Sequence, residues 1–191
     1  MELRKEIFRE YDIRGIYGKD IDASVAYLIG RAFGTKLREL NFNDTVIAYD
    51  NRLSSPELEV EVVKGLVESG INVKRLGLAT SPMCYFASNY YNINTYMMIT
   101  ASHNPKEYNG FKFSYNGLYN EFGEKIKELY NIIDKGEFAS GNGSVEDVDI
   151  TDAYIHLIVD KLNFGNRPIK VVYDCGNGTA SIIADKVFEK L

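Results

Sequence analysis

Stretches that read as buried strands alternate with stretches that read as amphipathic helices, and this alternation constrains the fold more than any other feature of the chain. Residues 22–40 place apolar side chains at helical spacing behind Asp22, which predicts a helix with Asp22 as its N-cap. Residues 45–50 (TVIAYD) predict a strand, and residues 55–70 predict a helix with Ser55 as its cap. This order is typical of an α/β sandwich, in which helices cover a sheet.

The same order continues further along the chain. Strands are predicted at residues 71–80, 95–100 and 111–115, and helices at residues 81–91 and 122–133. With 45% hydrophobic and 26% charged residues, the chain can bury a core under these helices and stay in solution.

The pattern changes at residues 134–149 (DKGEFASGNGSVEDVD), where Gly, Ser and acidic residues replace the apolar periodicity. We therefore predict a first domain at residues 1–150 and a separate unit at residues 151–191. The second unit reads as a linker helix at 151–164, a strand at 169–176 (IKVVYDCG) and the start of a further helix. One strand and one helix cannot bury a second core, so this unit resembles the opening of another domain. Its unpaired strand invites self-association, while the oligomeric state stays open.

Composition narrows the classes of partner and compartment. The chain has 22 Lys and Arg against 27 Asp and Glu, a formal charge of -5, which argues against a nucleic-acid partner. Cys84 and Cys175 lie far apart and form no CxxC pair, as expected in a reducing compartment. The start MELRKEIF lacks a signal-peptide pattern, and no apolar run approaches the roughly 18 residues of a membrane span. We expect a cytoplasmic protein without a membrane partner.

Residues 100–113 (TASHNPKEYNGFKF) break the alternation at a chemically informative place. Ser102 directly follows a predicted strand, at the edge where open α/β sheets bind ligands. The simplest interpretation is a polar turn, because Asn-Pro and Asn-Gly are ordinary turn pairs. Acyl transfer with His103 as base is disfavoured, since neighbours on an extended chain point in opposite directions and no G-x-S-x-G motif is present.

Phosphoryl transfer is the third interpretation of this loop. The reaction needs an oxygen nucleophile, cations around the phosphoryl group, and a proton donor and acceptor. Ser102 supplies the oxygen, and a hairpin-like return could bring the ammonium of Lys112 close to it. Phe111 and Phe113 flank Lys112, so Lys112 points away from the face on which they pack. That geometry fits either a solvated surface or a cleft.

Four stretches, in order, resemble one enzyme family. TASHNP together with NGFKF resembles the phosphoserine loop of the α-D-phosphohexomutases, in particular the phosphomannomutase/phosphoglucomutase branch. Residues 8–15 (FREYDIRG) are similar to that family's N-terminal signature, residues 49–58 (YDNRLSSPEL) to its next strand-to-helix turn, and residues 171–181 (VVYDCGNGTAS) to the start of its second domain. The resemblance implies a three-layer α/β/α first domain with a mostly parallel, mixed sheet, plus the start of a second like domain.

The resemblance also implies a reaction and its cofactors. Ser102 matches the serine that donates a phosphoryl group to a hexose phosphate and recovers one from a hexose 1,6-bisphosphate. A phosphoserine oxygen binds Mg²⁺ in the family, which makes Ser102 the expected metal ligand of this chain. Phosphoserine carries nearly two negative charges, so cations must surround it.

Further site residues follow from the same resemblance. The expected catalytic residues are Ser102, Lys112, Arg14 and His103, with Lys112 as the proton-transfer group and Arg14 as a cation beside the phosphoserine. The expected contacts to the phosphosugar substrate come from Tyr11, Arg14, Ser102, Asn104 and Lys112. Each match has a simpler alternative: Arg14 could belong to a turn, Tyr11 could be a packing residue, and His103 could only shape the loop. Arg52 matches a charged position near the loop, or it could bind helix carbonyls or a surface glutamate.

One family motif has no match. The acidic D-G-D-G-D-R loop that completes the metal site does not occur, and residues 147–152 (DVDITD) are a poor substitute. We therefore expect the N-terminal part of an isomerase that interconverts hexose 6-phosphate and hexose 1-phosphate, of mannose or glucose, and that is inactive as this piece alone. The alternatives are part of a phosphoglucosamine mutase or a non-catalytic binding module.

Overall fold

The computed structural model describes residues 3–162, 165 and 169–191. Its sheet has six strands, numbered in chain order: β1 (Ile13–Ile16), β2 (Asp44–Tyr49), β3 (Asn72–Leu78), β4 (Tyr96–Ile99), β5 (Tyr108–Ser114) and β6 (Val145–Asp147). The helices are α1 (Ala23–Glu39), α2 (Ser55–Glu68), α3 (Ser81–Tyr90), α4 (Glu124–Lys135), α5 (Thr151–Lys161) and α6 (Ala184–Lys190). Short 3₁₀ turns lie at Lys5–Ile7 and Thr179–Ile182.

The strands lie side by side in the order β1-β5-β4-β2-β3-β6. β2 pairs in parallel with β4 and β3, and β3 pairs in parallel with β6. β5 runs antiparallel to both of its neighbours, β4 and β1. The prediction of a mostly parallel, mixed sheet is confirmed, and the antiparallel pair β4–β5 is the return predicted between Ser102 and Lys112.

Helices cover both faces of this sheet. α1, α2 and α4 pack on one face, where their buried side chains meet strand residues such as Ile47 and Phe113. α3 packs on the opposite face against Val46 and Met98, and Tyr154 of α5 joins this second cluster. Because β2 and β4 are covered on both sides, their residues are almost all buried. The predicted three-layer α/β/α sandwich is therefore confirmed.

A side-chain cap explains where α1 begins, whereas α2 begins without one. Asp22 caps α1 as predicted, because its carboxylate accepts a hydrogen bond from the backbone N–H of Val25 at 2.9 Å. The cap predicted for α2 is wrong by one residue: Ser54 holds the cap position, and Ser55 is the first helical residue. The Ser55 hydroxyl donates to the Asp50 carboxylate at 3.0 Å, which commits it to the preceding loop.

The sheet has an edge strand that the hydrophobic pattern does not reveal. Residues 134–149 predict only a surface connection, but β6 lies within them and extends the sheet beside β3. All three residues of β6 are exposed. Backbone pairing with β3 joins it to the sheet, and two ion pairs accompany this pairing: Lys74 lies 2.7 Å from Glu146, and Arg75 lies 2.5 Å from Asp147. A strand held by charged side chains carries no apolar alternation, so the sequence pattern misses it.

The C-terminal segment differs most from its prediction. Residues 169–175 (IKVVYDC) are all described and form no strand, so that prediction is wrong. α5 ends at Lys161, and the end predicted for this helix at Phe164 lies outside the described residues. The domain boundary at residue 150 stays a prediction. Within the part of the chain that the structure describes, no helix combines the length and the apolar character needed to cross a membrane.

Candidate functional site

Three loops meet at one edge of the sheet and form a cleft there. They follow β2, β3 and β4, whose parallel arrangement brings their carboxyl ends to the same edge. The cleft has a volume of about 330 Å³. Its lining includes Asp50, Arg52, Thr80, Thr100, Ser102 and His103 from these loops, and Gly178 and Thr179 from the C-terminal segment. Ser102 thus lies at the ligand-binding edge, as its place after a strand predicts.

The backbone at Ser102 adopts a conformation that is rare for this residue type. Its φ is 56°, in the left-handed region that favours glycine. Its N–H donates to the Thr100 hydroxyl at 2.8 Å, and its own hydroxyl is exposed in the cleft. Residues held in such strained conformations are often found at functional sites. The geometry therefore favours a functional loop over an ordinary polar turn.

His103 lies closer to Ser102 than the sequence predicts. Its Nδ1 is 3.4 Å from the Ser102 hydroxyl oxygen. The expectation that the two side chains point apart is wrong, because the left-handed φ at Ser102 bends the chain out of the extended form. Within the described residues, no carboxylate forms a hydrogen bond or ion pair with the His103 ring. The third member of a Ser-His-acid triad is thus missing from the described chain.

Arg14 is buried beside the Ser102 loop. It lies on β1 opposite Gly110 of β5, which places it near the base of the loop. Its guanidinium donates to the Asn104 side chain at 2.9 Å and pairs with the Asp12 carboxylate. Its Nε is buried and has no hydrogen-bond partner in the described structure. Arg14 is therefore tied to the loop and keeps one donor unused.

Lys112 lies on the sheet face opposite its neighbours, as predicted. Phe111 and Phe113 are buried in the core under α1 and α4, whereas Lys112 lies across from Met98 of β4 on the other face. Its ammonium is 3.6 Å from the Asp12 carboxylate, and the side chain is mostly covered. Lys112 is thus partly buried and ion-paired, and it is not among the described residues that line the Ser102 cleft.

Asp12 joins the two cations, although sequence analysis did not single it out. Its carboxylate pairs with both Arg14 and Lys112 and is buried. The spacing contained a signal: residues i and i+2 of an extended chain share a face, so Asp12 and Arg14 were placed to pair. Tyr11, by contrast, is 70% exposed, which leaves its ring in solvent rather than in the core.

Arg52 contacts the Ser102 loop directly. Its guanidinium donates to backbone carbonyls of that loop, including those of Ser102 at 3.1 Å and Asn104 at 2.8 Å. It also pairs with Asp50 at 3.1 Å. The alternatives of a surface pair with a glutamate or a contact to helix carbonyls are therefore wrong. Asp50 was missed although Arg52 and Ser55 are close to it in sequence, because its contact with the Ser102 loop is made through Thr100, which follows β4.

The described residues do not form a metal site on their own. Among them, no three His, Cys, Asp or Glu side chains lie close enough to hold a metal ion. Asp50 lines the cleft, but its two oxygens already accept four hydrogen bonds. Asp147 and Asp149, from the poor match to the family's acidic loop, pair with Arg75 and with the N–H of residue 151. A Mg²⁺ ion bound through Ser102 would need ligands from outside these residues.

Known proteins resemble this chain over its whole length. The family model described as phosphoglucomutase/phosphomannomutase, alpha/beta/alpha domain I, matches residues 5–140. A phosphomannomutase/phosphoglucomutase of Pseudomonas aeruginosa is 42% identical in an alignment of 191 residues that covers 99% of this chain and 40% of that protein. A phosphoglucomutase of Neisseria gonorrhoeae is 41% identical over 191 residues, with 99% of this chain and 41% of that protein covered.

A solved structure agrees with these relatives. A phosphoglucomutase/phosphomannomutase family protein from Burkholderia thailandensis superposes with a TM-score of 0.93 at 38% identity, covering 100% of this chain and 43% of that one. The chain spans about 40% of the length of the curated relatives it matches. The fold, the matched model and the relatives agree. The chain therefore belongs to the phosphoglucomutase/phosphomannomutase family, whose α/β/α domain I matches residues 5–140.

Proposed function

We propose that Ser102 is the phosphoryl carrier of a phosphohexomutase that interconverts hexose 6-phosphate and hexose 1-phosphate, with mannose or glucose as the sugar. The observation that carries the proposal is the exposed Ser102 hydroxyl in a cleft at the sheet edge, on a loop tied to buried Arg14. The names of the relatives support the same class of isomerase.

The proposed reaction has two phosphoryl transfers. In the first, a sugar hydroxyl attacks the phosphorus of phosphorylated Ser102: the new P–O bond to the sugar forms, and the bond to the serine oxygen breaks. The sugar hydroxyl loses its proton to a base, and the departing serine oxygen takes up a proton. In the second, the Ser102 hydroxyl loses its proton to a base and attacks the other phosphorus of the hexose 1,6-bisphosphate: the bond to the serine oxygen forms, and the bond to the sugar oxygen breaks. The departing sugar oxygen takes up a proton, so the phosphoserine is restored and the isomeric monophosphate is released.

The side chains around Ser102 suit this chemistry. Phosphoryl transfer depends mainly on positioning and charge neutralisation, and Arg14 supplies a fixed cation whose Nε is unused. We assign proton transfer to Lys112, whose ammonium is held by Asp12. His103, at 3.4 Å from the serine oxygen, is placed to hydrogen-bond this oxygen when it departs. Asn104 and exposed Tyr11 are the proposed sugar contacts.

Magnesium and compartment belong to the same proposal. Mg²⁺ would neutralise charge on the phosphoserine, with a Ser102 phosphoryl oxygen as the ligand from this chain; the steps above use only protein residues. A cytoplasmic location, and the lack of nucleic-acid and membrane partners, follow from composition and stay predictions. The expected partner is a phosphosugar, in line with the names of the relatives.

The decisive experiment replaces Ser102 in the protein that contains this chain. We expect Ser102→Ala to lower turnover of mannose 1-phosphate and glucose 1-phosphate by about 10³-fold or more, because the group that carries the phosphoryl is lost. Ser140→Ala, at an exposed position in a surface connection, is the matched control. Phosphopeptide mapping should place the phosphate on Ser102. An active Ser102→Ala protein, or unphosphorylated Ser102 in active wild-type protein, refutes the proposal.

Comparing rates on mannose, glucose and glucosamine phosphates then identifies the sugar. A clear preference for glucosamine phosphate would favour phosphoglucosamine mutase. No turnover of any sugar phosphate, combined with unmodified Ser102, would favour the non-catalytic binding module. We expect the 191-residue chain alone to show no turnover.

A further inference from the structure

We propose that Asp50 is a positioning residue that sets the conformation of the Ser102 loop through two arms, Thr100 and Arg52. The inference rests on the proposed role of Ser102 for its catalytic meaning, but the geometry is tested separately. Asp50 follows β2 and Ser102 follows β4, so the contact joins two loops that are 50 residues apart in sequence and adjacent at the sheet edge.

The first arm is a chain of two hydrogen bonds. The Thr100 hydroxyl donates to Asp50 at 2.7 Å, and the same hydroxyl oxygen accepts from the Ser102 N–H at 2.8 Å. A hydroxyl has one hydrogen, and a carboxylate can only accept. Asp50 therefore takes the Thr100 hydrogen and leaves the oxygen lone pairs to face Ser102. In this way Asp50 holds the Ser102 N–H without touching it.

The second arm is the Arg52 guanidinium. Its Nε donates to Asp50 at 3.1 Å. Its two terminal nitrogens donate to four backbone carbonyls of the loop, those of Pro105 (2.7 Å), Tyr108 (2.9 Å), Ser102 (3.1 Å) and Asn104 (2.8 Å). An arginine has five N–H donors, so every donor is used inside the protein. Arg52 thus acts as a clamp on the loop, whereas the Nε of Arg14 is buried and has no hydrogen-bond partner among the described residues.

The two arms end on the residue whose backbone is strained. A left-handed φ at a non-glycine residue costs on the order of 1–3 kcal/mol and persists only when surrounding contacts hold it. The two arms hold Ser102 on both sides. Thr100 accepts from its N–H, and Arg52 donates to its carbonyl. If either arm is lost, Ser102 can relax toward an ordinary φ, which turns its hydroxyl relative to Arg14 and Lys112. Asp50 connects both arms, so it should control this conformation.

The first test measures amide hydrogen exchange at Ser102 by NMR in the 191-residue chain. Thr100→Val keeps the shape but removes the acceptor, so we expect exchange to accelerate about ten-fold, the equivalent of one lost hydrogen bond. Thr100→Ser restores the hydroxyl and should restore the slow rate. Asp50→Asn should also accelerate exchange at Ser102. Both Asp50 oxygens accept hydrogen bonds, so the NH₂ group that replaces one of them would face donors and could not accept from them.

Matched controls separate positioning from general loss of stability. Arg75→Lys likewise replaces a guanidinium that donates to an aspartate, but in the pair between β3 and β6, away from the Ser102 loop. It should leave Ser102 exchange unchanged. If Asp50→Asn does not fold, as judged by circular dichroism, the Thr100→Val and Thr100→Ser pair decides. Unchanged Ser102 exchange in Thr100→Val overturns the inference, as does unchanged exchange in a folded Asp50→Asn.

The second test measures catalysis in the protein that contains this chain. Arg52→Lys keeps the charge but cannot bridge four carbonyls, so we expect kcat to fall by about ten-fold or more with KM within about two-fold. Arg75→Lys should keep both values. A rise in KM with unchanged kcat would contradict positioning. If Ser102 exchange responds as expected but wild-type protein never carries phosphate on Ser102, the positioning role of Asp50 is supported and the proposed function is refuted.

Discussion

Residues 3–150 and the described residues of 151–191 have similar sequence patterns but differ in how fully their apolar stretches form strands. In the first region, β4 is an apolar stretch buried completely between helices. In the second, residues 169–175 are equally apolar at their centre, yet they form no strand and Val172 is 90% exposed. The difference shows that an apolar stretch becomes a strand only when neighbours pair with its edges and cover its faces.

The physical cause is the number of available partners. β4 has a strand on each side and a helical layer on each face, so its backbone groups are paired and its side chains are buried. The described part of the second region offers α5, α6 and one 3₁₀ turn, which cannot close a second core. Its buried apolar residues, Ile155, Ile183 and Val187, lie on helices or beside them.

The largest expected effect comes from making the same substitution in both regions. Val46 on β2 is fully buried, and Val172 is 90% exposed. We expect Val46→Ala to lower the free energy of unfolding by about 2 kcal/mol, because it removes buried methyl groups and leaves a cavity. Val172→Ala should change it by less than about 0.5 kcal/mol. Urea denaturation measures both, and equal losses would mean that the second region is as well packed as the first.

A smaller effect is expected from a carboxylate buried in the first region. Burial raises the pKa of Glu59, on α2, from 4.5 to about 7, although nearby Arg75 opposes the shift. Between these pH values the folded protein keeps a proton that the unfolded chain has lost, so stability falls as pH rises through this range. Glu59→Gln should therefore raise the free energy of unfolding by about 1–2 kcal/mol at pH 8 and change it little near pH 4.5.

Denaturation of both proteins at the two pH values checks this prediction. Glu61→Gln, on the same helix but outside the core, is the matched control for replacing a carboxylate by an amide. A gain for Glu59→Gln that is equal at both pH values would show that the effect is not the titration of Glu59.

The smallest expected effect concerns the contact between the two regions. Asn51 donates to the Asn177 carbonyl at 2.6 Å and accepts from the Thr179 hydroxyl at 3.0 Å. These groups are exposed, so Asn51→Ala should cost only about 0.5–1 kcal/mol of local stability. We expect faster amide exchange at residues 176–183 with unchanged exchange in β2. The double variant with Thr179→Val should lose less stability than the sum of the two single variants, because both remove the hydrogen bond from the Thr179 hydroxyl to the Asn51 side chain, although Thr179→Val also removes the bond from the Asn51 backbone N–H at 3.2 Å. An additive effect would contradict direct coupling.

The fold was largely predictable, and the failures have common causes. The start of α1 followed from apolar spacing and from Asp22, which are local signals, and the mixed sheet followed from the family resemblance. β6 was missed because its stabilising contacts are charged pairs with β3 rather than buried apolar residues. The strand at 169–175 was predicted from its apolar residues alone. Such a pattern does not show whether other strands are present to pair with the segment.

The site was predictable as a set of residues but not as a geometry. The motifs singled out Ser102, Arg14 and Lys112, and the fold brings Arg14 and Lys112 together through Asp12 and ties Arg14 to the Ser102 loop. The close approach of His103 was missed, because the left-handed backbone at Ser102 depends on contacts from another loop.

By itself, the sequence determined the alternation of strands and helices, the family, and the place of the serine loop after a buried strand. These properties depend on residues close together in the chain, such as helix caps, apolar spacing and short motifs. Only the tertiary structure decided which charges meet. Asp50 and Arg52 reach the Ser102 loop, and Asp12 reaches Lys112, because strand order brings distant segments to one sheet edge. Such pairings are set by packing and hydrogen bonding across the whole domain, which no local pattern records.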